Sequence, residues 1–216
     1  QNDLLARGPS RRLTAEMLRD QALFASGLLV EKQGGPSVYP YQPDGLWDEA
    51  MGRPGYPRSR RPDLYRRTLY TFWKRTAPPP ASVAFDAADR SVCTARRQST
   101  STPLQALALL NDPQVVEAAR FLGQRMLKEG GPTRADQAAW AFRVVATRAA
   151  TEKERAILAR LYDEEATFFT SDAKAAEKLL AVGDGKTDAA LKPAELAAAT
   201  SVALTILNHD AAVMRR

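Results

Sequence analysis

From Thr102 onward, apolar residues recur every three or four positions, and the rhythm breaks only at capping residues, glycines and prolines. Thr102-Pro103-Leu104-Gln105 joins a capping box to a proline at the first helical position, which predicts a helix start. Asn111-Asp112-Pro113 breaks and restarts it, with Asp112 as cap, and Val115, Val116, Ala119, Leu122 and Met126 form the next apolar stripe. Gly130-Gly131-Pro132 stops that helix. Thr133 with Asp136, and Thr151 with Glu154, mark two further starts; Ile157, Leu158, Leu161, Tyr162, Phe168 and Phe169 line the second. A short helix around 172–182 should end at Gly183. A last one starts near Pro193 and turns Leu196, Ala203, Ile206 and Leu207 inward, His209 following as a cap or surface residue. Consecutive helices with short links predict a helical array or bundle over 103–216, and a mainly α fold.

The first half has a different pattern. Thr14 reads as an N-cap, Leu13 and Leu18 as a hydrophobic staple, and Ser26-Gly27 as the C-terminal stop with Leu28 folding back toward Leu23, so a helix is expected over 15–26. Residues 34–62 then carry six prolines and five glycines among Tyr39, Tyr41, Trp47 and Tyr56. Helix cannot persist through that proline density, and the rings argue for burial. The expectation is a proline-stiffened strap lying across the helical core. Tyr65, Leu69, Phe72 and Trp73 fall at helical spacing over 63–76, with a strand as the alternative because Thr68, Tyr70 and Phe72 alternate. Pro78-Pro79-Pro80 ends that element, and 81–101 reads as a second long irregular connection. Residues 1–102 are thus a helix plus a Pro/Gly- and Arg-rich loop segment packed on the bundle, one structural domain overall.

Composition narrows the chemistry. Among 216 residues there is one cysteine, Cys93, and one histidine, His209, so an internal disulfide is excluded and a transition-metal site is starved of ligands. No haem-attachment motif is present, and no metal or other cofactor is expected in this stretch. No apolar run approaches the ~20 residues that span a bilayer, so no membrane insertion is expected. Gln1-Asn2-Asp3-Leu4-Leu5 has neither the positive nor the apolar part of a signal peptide, and the missing initiator Met fits a piece cut from a longer chain. The net charge of +6 lies wholly in residues 1–100, with 16 Lys/Arg against 10 Asp/Glu; residues 101–216 balance at 15 against 15. Such an excess attracts polyanions, or pairs with carboxylates of a neighbouring domain. No groove-reading helix accompanies it, so specific nucleic-acid binding is not expected.

The densest chemistry runs from Phe85 to Arg97. Asp86 and Asp89 beside Arg90, Arg96 and Arg97 should stay ionised, which suits an ion-pair network better than proton transfer. An anion or sugar-sulfate subsite between Arg96, Arg97 and the amides after Thr102 is the second reading, and acid–base catalysis the third. Packing of the strap against 84–105 would bring Tyr41 and Trp47 to the same surface, so Arg90, Arg96, Arg97, Thr102, Tyr41 and Trp47 are the candidate ligand-binding residues. Cys93 is expected to be buried and inert, although nearby arginine can activate a thiol. Gly185-Lys186-Thr187 is not a phosphate loop, because the required earlier glycine is Leu180; Asp184 to Asp188 lacks calcium-loop spacing.

Three stretches carry a resemblance: Gly34-Gly35-Pro36-Ser37-Val38 through Trp47; Tyr65-Arg66-Arg67 through Thr76; and Phe85-Asp86, Asp89-Arg90, Cys93, Arg96-Arg97 and Thr102 through Pro113. They resemble the C-terminal domain of unknown function of large planctomycete cytochrome-domain proteins, from about Leu4 to Arg216. The ending Leu207-Asn208-His209-Asp210 departs from that family's usual acidic and aromatic pair. The resemblance implies a periplasmic or extracellular multidomain parent with a haem domain upstream, and upstream domains of the same chain as partners. The expected function is a non-catalytic helical module that docks on the preceding domain and helps hold an anionic or carbohydrate ligand, with an anionic polysaccharide as a candidate partner. The alternative is part of a polysaccharide-acting hydrolase or redox enzyme whose site other domains complete.

Overall fold

The computed structural model describes residues 8, 10–48 and 55–215. Thr14 accepts a hydrogen bond from the Met17 amide and opens α1 (Ala15–Ser26), which Gly27 closes in the left-handed region at φ 76°. Leu28 N–H then bonds back to the Leu23 carbonyl, the expected fold-back. The helical half comprises α3 (Pro103–Asn111), α4 (Pro113–Glu129), α5 (Arg134–Ala146), α6 (Glu152–Ser171), α7 (Ala173–Leu180) and α8 (Pro193–Leu207), so the mainly α expectation holds. Its caps are those the sequence announces: Asp112 accepts from Gln114 N–H, Thr133 from Asp136 N–H, and Thr102 and Thr151 complete capping boxes with Gln105 and Glu154. His209 caps a last short helix, α9 (Asp210–Val213), accepting from the Ala211 amide at 3.0 Å.

Helices α4 and α8 form the centre. Seven consecutive residues of α4, Gln114 to Arg120, are buried, so neighbours surround this helix on every side. On α8, Ala197, Ala198, Ala199 and Ala203 are fully covered, and their small side chains let the two backbones approach closely. A Cβ on Gly123 would stand 3.0 Å from the Ala199 carbonyl carbon and the Thr200 nitrogen. Helices α1, α5 and α6 complete the core through Leu18, Phe142 and Tyr162. At the chain ends, β1 (Arg11–Arg12) pairs antiparallel with β2 (Met214–Arg215), setting Arg11 opposite Arg215.

Two expectations for the first half are corrected. Residues 63–76 form neither one helix nor a strand but two 3₁₀ turns, Asp63–Tyr65 and Thr68–Tyr70. Their backbone groups are drawn outward: Val30 N–H bonds the Tyr65 carbonyl, Val38 N–H bonds the Tyr70 carbonyl, and Phe72 N–H bonds the Val38 carbonyl. Isolated bridges Val30–Arg66 and Val38–Thr71 result. The second long connection is not wholly irregular either, since α2 (Pro80–Ala84) forms within it. The last residue of the proline triplet starts this helix at the N1 position, where the missing N–H costs nothing.

Candidate functional site

The site is built by the strap, and the strap is fixed by buried charge. From α1, the Arg19 guanidinium donates to the Leu64 and Arg66 carbonyls, to Thr68 Oγ1 and to Gln114 Oε1, all within 3.1 Å. Burial pushes its pKa down to about 10, with Asp20 and Asp112 opposing the shift, so Arg19 stays charged near neutral pH. Asp20 accepts from the amide and hydroxyl of Thr68, both at 2.7 Å. Arg66, 1% exposed, turns inward under the 32–36 turn and donates to the carbonyls of Lys32, Gly34 and Pro36. Its guanidinium stacks 3.8 Å from the centre of the Tyr70 ring, whose hydroxyl accepts from Gly34 N–H.

At the other side of the strap, α4 offers Glu117, a fully buried carboxylate. Tyr65 donates to Oε1 at 2.8 Å, Tyr41 to Oε2 at 3.0 Å and Gly185 N–H to Oε1 at 2.5 Å, while Arg120 lies 3.7 Å away. Tyr41 in turn accepts from Asp184 N–H at 2.7 Å. One carboxylate therefore ties the strap to the loop between α7 and α8, with Arg120 donating to the carbonyls of Leu180, at the end of α7, and of Gly185 in that loop. Gly183, at φ 87°, is required here: a Cβ would fall 2.5 Å from Glu117 Cδ. Burial and the neighbouring Glu117 raise the pKa values of Tyr41 and Tyr65, keeping both hydroxyls protonated as donors.

Above this anchor the strap rings cluster. Tyr39 stacks on Phe72 at 5.0 Å, and Trp47 meets Tyr39, Tyr56 and Phe72 at 5.1–6.1 Å. Lys74 Nζ stands 4.4 Å from the Trp47 ring centre. The cluster borders an open groove of about 1310 Å³ between the strap, the start of α2, the outer side of α3 and residues 182–184. Tyr41, Trp47 and Arg58 line it from the strap, Leu104 and Asn111 from α3. Arg58 pairs with Asp184 at 3.2 Å and lies over the Tyr41 ring.

Of the six residues expected to bind ligand, Tyr41 and Trp47 reach this groove together. The other four do not. Arg90, in the left-handed region at φ 64°, stacks on Trp73, whose indole N–H donates to the Asp89 carbonyl. Arg97 pairs with Glu16 of α1, Thr102 caps α3, and Arg96 is exposed with no hydrogen-bond or ion-pair partner among the described residues. The expected ion pairs of Asp86 and Asp89 with these arginines are replaced by local bonds. Asp86 accepts from the amide and hydroxyl of Thr100, and Asp89 from Ser91 N–H. Asp86 and Thr100 thereby close the loop on itself, and the buried Gln105 pins it by donating to the Ala84 carbonyl and Thr100 Oγ1. Cys93 is exposed on that loop, which corrects the expectation of a buried thiol.

Sequence reasoning missed Arg19, Arg66 and Glu117. For Glu117 the available signal is a carboxylate set between Val115-Val116 and Ala118-Ala119, followed three residues on by Arg120. Among the described residues no cluster of three His, Cys, Asp or Glu is placed to hold a metal ion, and no helix is long and apolar enough to cross a membrane.

Residues 1–162 match the PSD1 family, described as a protein of unknown function (DUF1553). The chain belongs to that family. The matched range covers the strap, the groove walls contributed by α2 and α3, and the Glu117 anchor, and it ends within α6. No curated protein and no solved structure matches the chain.

Proposed function

We propose that this member of the family is a non-catalytic helical module that docks on a neighbouring domain of its parent chain and holds a carbohydrate or anionic ligand in the groove beside the strap. The observation that carries the reading is the outer face of α3. Gln105 and Leu109 are buried against the core, whereas Leu104, Leu107 and Leu110 are 61%, 57% and 41% exposed. Leucines at this spacing form one stripe, and Leu104 is also a wall of the groove. A contiguous apolar stripe beside a concave surface is a signature of an interaction face. The interior ionisable groups support a structural role: Glu117, Arg19, Arg66 and Asp20 are each engaged by several bonds that hold the strap.

From the sequence resemblance we carry forward a periplasmic or extracellular setting and a parent with a haem-bearing domain upstream; the domain immediately preceding this chain is the proposed partner. The test is to purify this chain and that domain separately and measure their association by sedimentation. A complex is expected, and Leu107→Asp should abolish it while leaving the thermal unfolding of this chain unchanged. Association that Leu107→Asp leaves untouched would reject the α3 face, and absence of any complex would reject docking.

A further inference from the structure

We infer that the groove takes a neutral, hydroxyl-rich ligand, an uncharged oligosaccharide, and not a polyanion. The inference deepens the ligand half of the proposed function and rests on it.

Charge is the first argument. The described lining includes four carboxylates, Asp44, Asp48, Asp112 and Asp184, against one guanidinium, Arg58, which Asp184 already neutralises at 3.2 Å. A polyanion entering this concave, partly desolvated space meets net negative charge, and like charge in such a site is costly. Other described arginines of the first half lie elsewhere: Arg66 is buried under its turn, Arg90 stacks on Trp73, and Arg97 pairs with Glu16 on α1.

The aromatic wall is the second argument. Trp47 and Tyr41 are half-buried at the groove, and their rings are fixed in place. Tyr39, Tyr56 and Phe72 surround Trp47, and Lys74, which is not part of the lining, braces its ring from 4.4 Å. Fixed rings offer large amphipathic contact area at little entropic cost, which suits the C–H faces of pyranose rings.

Unmet hydrogen-bonding capacity is the third. Gln42 Nε2 and Trp47 Nε1, both on lining residues, are covered from solvent and have no acceptor among the described residues. Buried donors without acceptors are rare and call for a cause. The Gln42 amide can turn outward to a ligand hydroxyl, and ligand hydroxyls donate to a carboxylate such as the exposed Asp44. Carboxylates and donors side by side match a group that both gives and takes hydrogen bonds; a sulfate or carboxylate only takes them. The size agrees, since about 1310 Å³ exceeds the roughly 300–1,000 Å³ of clefts for drug-sized ligands.

The experiment titrates the protein with cellohexaose, xylohexaose, mannohexaose and hexagalacturonate while following tryptophan emission and heat. A pyranose face seated against the fixed Trp47 ring displaces water from it, so binding should change Trp47 emission; Trp73 and Trp140 stack on Arg90 and Arg125 away from this lining and report no change. At least one neutral hexasaccharide should bind, and Trp47→Ala should weaken it by about tenfold or more, ~1.4 kcal/mol. Because Trp47→Ala also removes a ring from the strap's aromatic cluster, Asp44→Ala at an exposed position is the second variant: it should keep the unfolding midpoint and lower affinity severalfold. Tighter binding of hexagalacturonate than of every neutral sugar overturns the inference, as does failure of all three neutral sugars at millimolar concentration with folded protein. Neither result touches docking, which the Leu107→Asp measurement decides separately.

Discussion

Helix α4 faces two regions and meets them by opposite means. Against α8 it sets Gly123 on a surface of buried alanines, close enough that a single added Cβ on Gly123 would press on the Ala199–Thr200 backbone. Against the strap its contact is made by Glu117, a carboxylate that gathers two tyrosine hydroxyls and, from the loop after α7, a backbone amide. The bundle side relies on shape and apolar burial, which are distributed over many residues. The strap side relies on a few directional bonds to charged groups, each of which leaves several partners unpaired when removed. A proline- and glycine-rich segment has little periodic apolar surface to bury, so point anchors are the available way to give it one conformation.

The sharpest way to break this comparison is Glu117→Ala. Removing the carboxylate leaves the Tyr41 and Tyr65 O–H groups and the Gly185 N–H without their acceptor, and leaves Arg120 without its carboxylate neighbour. The expected loss is about 3–5 kcal/mol, the range for breaking a buried charged network. Urea unfolding would measure it. Hydrogen exchange would localise it: the amides of Val30, Val38 and Phe72, which bridge the strap, should accelerate far more than those of α8. Equal acceleration in both regions would mean that the strap and bundle open as one unit and that the contrast is wrong.

Gly123→Ala is the counterpart on the bundle side. The added methyl meets backbone atoms at 3.0 Å, and backbone cannot swing aside as a side-chain tip can. Destabilisation of about 1–3 kcal/mol is expected, the range for overpacking. Here the exchange of α4 and α8 amides should rise, with strap and bundle reporting the same unfolding midpoint. A neutral effect would show that α8 slides without cost and that its packing is loose.

The two regions also differ in how much of them the sequence discloses, for the same physical reason. Helix starts are local: Thr102 with Gln105, Thr133 with Asp136 and Thr151 with Glu154 lie three residues apart, and each cap forms as read. The anchors of the strap are separated by tens of residues, Arg19 from Leu64 and Tyr41 from Glu117, and no periodicity links them. Tyr65, Leu69, Phe72 and Trp73 therefore suggest a helix by spacing alone, while long-range bonds to Val30 and Val38 hold the same residues as turns. The candidate site was legible in its aromatics, because Tyr41 and Trp47 do share a groove, and illegible in its arginines. An exposed arginine beside an aspartate in sequence reads as a pair, yet Asp86 is engaged by Thr100 and Arg97 by Glu16. Cys93 misleads in the same way, since the usual burial of cysteine is a statistical tendency that a surface loop overrides.

A smaller effect is expected at the junction of the two regions. Asp112 caps α4, accepting from Gln114 N–H at 2.8 Å. Asp112→Ala should cost about 0.5–2 kcal/mol by loss of the cap. Burial raises the pKa of this carboxyl despite its bonds to the Gln114 and Val115 amides. Asp112→Asn keeps the acceptor and removes the desolvated charge, so near neutral pH it should fall within a few tenths of a kcal/mol of the parent protein, as asparagine and aspartate rank alike as caps. Thermal unfolding of both variants checks the pair, and an Asn variant as damaged as the Ala variant would show that the charge facing Arg19 outweighs the cap.

The smallest effect belongs to the bundle surface and depends on pH. Arg148 donates to both oxygens of Glu154, at 2.6 and 2.8 Å, and the amide and hydroxyl of Thr151 add two more bonds. The Arg148 hydrogen bonds, first among these causes, hold the Glu154 carboxyl far below the usual carboxylate range. A carboxyl whose pKa is lower in the folded state stabilises the fold above its unfolded value of about 4.3, and that contribution fades as the pH falls below it. Arg148 is 43% exposed, so solvent screening limits the gain to under about 1 kcal/mol. The urea midpoints of the parent protein and Glu154→Gln should accordingly differ at pH 7 and converge toward pH 3, with strap exchange rates the same in both proteins. A difference that persists undiminished at pH 3 would assign the effect to the shape of the cap and not to its charge. Faster exchange of the strap amides in the variant would show that a bundle cap reaches the strap, and the two regions would then have to be treated as one cooperative unit.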